Sequence, residues 1–166
     1  MAVTPLQPAA TANADASIAL IDAFDLPEEL GTRLPLIPRI EKGFGVVPVL
    51  DDGAVLLRPG DVAVYDEEWL KYNEVTPGLY CYEHQRPVSL SPHFDSWRIV
   101  TREVVYMRRS PRSPGCWDKI ALRSKVIGGI RRYSVPDGPM YEVALYNHLL
   151  GPIVGIYAPA LIHGDH

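Results

Sequence analysis

Sixteen prolines and thirteen glycines are spread through 166 residues, and this punctuation constrains the fold more than any other feature. Proline removes a backbone donor and fixes φ, and glycine weakens a helix interior, so a helical bundle is excluded. What remains are short apolar runs between turn signals, the pattern of strands. Phe44 to Leu50 is one such run, ended by the turn chemistry of Asp51-Asp52-Gly53. Leu56-Leu57 leads through the turn tetrad Arg58-Pro59-Gly60-Asp61 into a second run ending at Asp66. Leu79 to Glu83, Trp97 to Val100, Val104 to Met107, Ile120 to Arg123 and Ile153 to Tyr157 continue the series, with an exposed loop expected over Arg108 to Gly115. The expected fold is all-β, a partly open barrel of short strands over residues 34–159.

The flanks read differently. Residues 1–16 are Ala, Pro, Thr, Asn and Asp with almost no large apolar side chain, and are expected to be a flexible arm. Residues 17–33 are expected to hold one short N-terminal helix and a linker. Ser17 is its cap, Ile18, Ile21 and Phe24 lie near one face, and Pro27 limits its extent. Leu34 to Arg39 reads as an extended segment whose prolines suit a sheet edge, which leaves no second helix for a helix-turn-helix reader. Residues 160–166 are expected to be a tail.

A hydrophobic share of 47% with 22% charged residues is that of a globular chain, so wholesale disorder is excluded. No stretch of 18 apolar residues occurs, which removes a membrane-spanning helix, and Met1 to Ala16 has neither a basic start nor an apolar core of a signal peptide. A cytoplasmic location is the resulting expectation. Cys81 and Cys116 cannot build a disulfide framework or a four-cysteine zinc site. Cys81 is expected in the core and Cys116, after Gly115 in a loop, nearer the surface. His84, His93, His148, His163 and His166 lack metal-ligand spacing, so no metal and no cofactor is expected. Asp51, Asp52, Asp61 and Asp66 are read as turn formers.

The net charge of −4 is unevenly spread. Between Arg98 and Arg132 there are eight Arg and two Lys against Glu103 and Asp118, about +8, which leaves about −12 elsewhere. Such asymmetry has two readings: a basic face for a polyanion, or neutralisation by the chain's own acidic half. The binding candidates on the first reading are Arg98, Arg102, Arg108, Arg109, Arg112 and Arg132, with tyrosines between them for stacking on nucleic-acid bases.

Four fragments together resemble the self-cleaving peptidase domain of the LexA and UmuD type, also found in phage repressors. They are Val49 to Asp66 with its Pro59-Gly60-Asp61 turn, Gly78-Leu79-Tyr80, Glu103 to Arg108, and Leu150 to Pro159 with its terminal Gly151-Pro152-Ile153-Val154-Gly155 strand. The resemblance implies a Ser/Lys dyad, in which a neutral lysine takes the hydroxyl proton of a serine that attacks a peptide carbonyl. It puts the nucleophile position at Asp52, or at Asp51 with a one-residue shift, and the base position at Met107. A carboxylate cannot become an alkoxide and a thioether has no usable proton affinity, so the reactive pair is lost and no catalytic residue is expected.

The expectation is therefore a catalytically inactive protein of this fold, acting as an interaction or regulatory module in bacteria or phage. The resemblance implies a homodimer formed through the C-terminal strands, with a repressor or another regulatory protein as a further partner. Two alternatives are an active hydrolase, in which Ser110, Ser113 or Ser124 pairs with Lys119 or Lys125, and nucleic-acid binding through residues 98–132.

Overall fold

The structure is a computed structural model that describes residues 19–22, 34–49, 57–87, 98–136 and 138–157. The expected arm and tail, the aspartates 51 and 52, and most of the stretch 17–33 lie outside these residues. Nine strands are described: β1 (Ala19–Asp22), β2 (Phe44–Pro48), β3 (Val62–Asp66), β4 (Gly78–Pro87), β5 (Arg98–Arg109), β6 (Cys116–Ile127), β7 (Ile130–Val135), β8 (Pro139–Tyr141) and β9 (Leu149–Tyr157). A 3-10 turn at Trp69–Lys71 and one helical turn, α1 (Glu142–Leu145), complete them. The strands form one antiparallel sheet in the order β1-β7-β6-β5-β4-β9-β3-β2, with β8 against β6, and the sheet does not close into a barrel.

The turns are those the sequence signalled. Gly60 adopts φ 92° behind Pro59, Asp61 N–H donates to the Arg58 carbonyl at 2.9 Å, and the Asp61 carboxylate accepts from Arg58 N–H at 2.8 Å. Asp66 Oδ1 accepts from the amides of Glu68 and Trp69 at 2.9 and 3.1 Å and so opens the 3-10 turn. Leu34 to Ile37 runs alongside β9, and the extended segment expected as far as Arg39 ends in a bend at Pro38 and Arg39. Leu36 makes a parallel bridge to Ile156, closed by Ile37 N–H on the Ile156 carbonyl (2.8 Å) and Ile156 N–H on the Pro35 carbonyl (2.9 Å). Gly155 permits this approach, since a Cβ there would stand 2.6 Å from the Pro35 oxygen.

Three expectations are corrected. Residues 19–22 are not helical but form β1, paired antiparallel with β7 from Ala19↔Val135 to Asp22↔Arg132. A segment this short carries the nucleation cost of a helix without its return, whereas the edge of β7 offers ready ladder partners. The one short helix among the described residues is α1, near the C-terminus. The two strands expected at 97–100 and 104–107 are one continuous twelve-residue strand, β5, in which Arg102 and Glu103 stay in the ladder opposite Glu83 and Tyr82.

Alternate residues of the central strands build two cores. On one face Tyr80, Tyr82, Val105, Met107 and Trp117 pack with Val75, Leu145 and Leu149. On the other, Cys81 joins Val47, Leu57, Ala63, Tyr65, Ile153 and Ile156, and Tyr106, Ile120, Tyr133 and Val135 continue it along the sheet. Each such side chain contributes about 1.5–3 kcal/mol by leaving water.

Candidate functional site

The four fragments singled out in the sequence occupy neighbouring strands. β3 pairs with β9 through Val62↔Tyr157 and Ala63↔Ile156, β9 with β4 through Tyr80↔Pro152, and β4 with β5 through Gly78↔Met107. Asp51 and Asp52 are outside the described residues, so Met107 is the one position of the expected pair that can be located.

Met107 is fully buried and faces Lys119 as its register partner on β6. Lys119 is fully buried too, and its ammonium stands 4.3 Å from the centroid of the Tyr82 ring, a cation–π contact of about 2 kcal/mol where water is excluded. Local residue types around this lysine carry little sign of its burial. Its signal is phase: Trp117, Lys119 and Ala121 alternate on the face that carries Met107 and Val105.

Tyr82 is also flanked by two histidines. The His148 ring stacks on it at 5.2 Å and 15°, and the His84 ring tilts against it at 4.7 Å. His84 Nε2 meets the Glu103 carboxylate. His148 makes two links to one residue: its carbonyl accepts from Glu83 N–H at 2.8 Å, and its Nδ1 lies 3.0 Å from the Glu83 carbonyl. A carbonyl only accepts, so Nδ1 carries the proton. The imidazole thereby supplies a ladder rung where the β4–β9 register shifts between Cys81 and Tyr82. This group of residues is a packed joint between β4, β5, β6 and β9.

The serines considered as relocated nucleophiles do not share Lys119's surroundings. Ser110 follows Arg109 in the phase of Tyr106 and Arg108, on the opposite face of the sheet. Ser113 sits in the β5–β6 loop, where its carbonyl accepts from Cys116 N–H at 3.0 Å. Ser124 lies beyond the β6 irregularity, and its hydroxyl accepts from Arg131 Nη1 at 2.9 Å.

The arginines are distributed over both faces, and Arg102, Arg108 and Arg109 meet carboxylates. Arg102 Nε donates to Glu83 at 3.1 Å and its Nη1 reaches the Tyr65 hydroxyl at 3.4 Å. Arg108 Nε stands 3.6 Å from the buried Asp118 carboxylate. Arg109 binds Glu142 at 3.2 Å and lies 4.1 Å over the Trp117 ring. Arg112 is exposed in the β5–β6 loop, and Arg132 is half-buried on β7 opposite Lys125. The side chain of Arg98 is outside the described residues.

Among the described residues no group of three or more His, Cys, Asp or Glu is arranged to hold a metal ion, and no helix is long and apolar enough to cross a membrane. Both cysteines are free and buried, which corrects the surface position expected for Cys116: its amide and carbonyl close the loop against Ser113 and Ser110, drawing it into the sheet. Burial pushes the Cys81 thiol up to about 12. Burial also raises the Tyr65 phenol, and the hydrogen bond to Glu83 raises Arg102.

No family model, curated protein or solved structure matches the chain.

Proposed function

We propose that this chain is a catalytically inactive module of the self-cleaving peptidase type that acts by binding another protein, a second copy of itself in the first instance. The observation that supports this reading is the closed packing around Met107. The position that would carry the proton acceptor is a thioether sealed among Val105, Trp117, Leu145 and Leu149. The neighbouring amine, Lys119, is directed at an aromatic ring, and the serines weighed as its partners lie on the opposite face, in a loop or beyond the β6 irregularity.

The contact surface follows from exposure. β9 is paired with β4 over its first half and with β3 and the Leu36 bridge over its second, so it is an interior strand of the sheet. Just before it, Tyr141 and Val143 are 73% and 80% exposed, with Tyr146 beside them. Tyrosine gives apolar area with a wet edge, the composition of a protein contact. Two copies meeting through this patch would form a two-fold contact close to the C-terminal strand.

Light scattering on the full chain tests the partnership. A dimer is expected, and Val143→Glu is expected to reduce it to monomer without loss of β signal in circular dichroism. A strict monomer at high concentration, or a Val143→Glu dimer as tight as the parent, overturns it.

A further inference from the structure

The β6–β7 hairpin leaves the body of the protein. β6 pairs with β5 only as far as Ala121, and β1 covers β7 only from Arg132 onward. Residues 124–131 are therefore a two-stranded ribbon joined by Gly128-Gly129, with φ 61° and 80°. Positive φ at both positions is the two-residue turn that matches strand twist, which makes this a well-formed hairpin and not a frayed loop.

The ribbon has an unusual composition for a solvent-exposed piece. Its tip is apolar: Val126 is 67% exposed, and Ile127 and Ile130 are also exposed. Behind the tip the ribbon carries Lys125 and Arg131, with Arg123 just before it and Arg132, whose register partner on β1 is Asp22, just after it. Register sorts them onto both sides. Lys125 and Arg132 oppose each other on the side of Ile127 and Ile130, whereas Val126 opposes Arg131 on the other.

We infer that this ribbon is a binding element for duplex nucleic acid, inserted into a groove. This goes beyond the proposed protein-binding role. It also relocates the polyanion-binding reading, because the arginines nearer the body at positions 102, 108 and 109 meet the chain's own carboxylates. A two-stranded ribbon fits the major groove, whose width is about 12 Å. A groove has a phosphate wall on each side, which suits cations carried on both faces of the ribbon. Side chains such as Ile127 and Ile130 reach base edges or wedge between base steps, as apolar tips do in architectural proteins. A planar anionic membrane would also attract the cations, but it presents its charge in one plane.

The test is fluorescence anisotropy of the full chain with a labelled duplex of about 25 base pairs at low salt, a length spanning more than two helical turns. Binding is expected, with affinity falling steeply as salt rises. The double variant Lys125→Glu/Arg131→Glu is expected to weaken it about tenfold or more and to lower the salt slope by about two, while Arg112→Ala leaves it unchanged. Circular dichroism on each variant checks that the sheet is intact. No binding at low salt, equal binding by the double variant, tighter binding to the single strand, or binding to anionic phosphatidylserine vesicles without binding to the duplex would each overturn the inference.

Discussion

Met107 and Lys119 are register partners on adjacent strands, and neither side chain reaches solvent. A sheet that buries an ammonium beside a thioether has little room for a second charge. Met107→Lys would place two ammonium groups together among Val105, Trp117 and Leu149, and should cost about 3 kcal/mol or more, because a second ammonium would have to leave water beside a like charge. Met107→Leu, close in volume, should cost less than about 1.5 kcal/mol. Urea denaturation of the two variants measures the difference, and equal stabilities would mean that the cluster is open to water.

Gly45 and Gly151 leave the least room for a Cβ among the described glycines. A Cβ at Gly45 would overlap the Tyr65 phenol and come within 2.6 Å of Glu67 Oε1, and one at Gly151 would meet the backbone carbonyl of Asp66. Tyr65 is buried and the Asp66 carbonyl belongs to the backbone of β3, so neither can step aside cheaply. Gly45→Ala and Gly151→Ala should each destabilise by about 1–3 kcal/mol, with Gly151→Ala the worse. Gly60, whose added Cβ would meet nothing, provides the contrast: Gly60→Ala costs only the strain of its positive φ, about 1–2 kcal/mol. Thermal melts should rank the three in that order.

Cys81 couples stability to alkaline pH. Burial raises its thiol from 9.0 to about 12 in the folded chain, so the folded state holds its proton where the unfolded state releases it. Stability contributed by the neutral thiol is complete below about pH 9 and is lost progressively as pH rises from 9 toward 12. The raised Tyr65 phenol acts in the same direction from its usual 10.0 upward. Denaturation midpoints at pH 8, 9.5 and 11 should fall steadily, and Cys81→Ala should flatten the first part of that decline. An unchanged profile in the variant would show that the thiol does not carry it.

His148 holds the β4–β9 junction by its ring as well as its backbone. His148→Ala removes the bond to the Glu83 carbonyl and the stack on Tyr82, and should cost about 1–2 kcal/mol. Hydrogen exchange should then show faster exchange localised at residues 82–84 and 149–151, whereas uniform acceleration would point to a global effect instead.

How much of this was legible in the sequence follows from what each signal depends on. Turn chemistry is local, and Arg58-Pro59-Gly60-Asp61 and Asp66 do in the structure what their residue types promise. The strands from Phe44 onward were legible because their apolar alternation is dense. β1 is not legible locally, because Ile18, Ile21 and Phe24 fit a helix stripe as readily as Ala19 to Asp22 fit a strand, and the choice is made by the distant edge of β7. Burial of Lys119 and the double link of His148 depend on which strands are neighbours, and no local pattern carries that information. The charge asymmetry was plain, but its partial resolution into Arg102–Glu83, Arg108–Asp118 and Arg109–Glu142 pairs joins residues as far as 33 positions apart.

On the proposed reading the scaffold retains no working nucleophile and base. Prolonged incubation of the pure chain at alkaline pH, followed by intact-mass spectrometry, tests it most directly. A single species at the full 18.4 kDa is expected throughout. Discrete fragments that disappear when Ser110, Ser113 or Ser124 is changed to Ala, or when Lys119 is changed to Met, would contradict it.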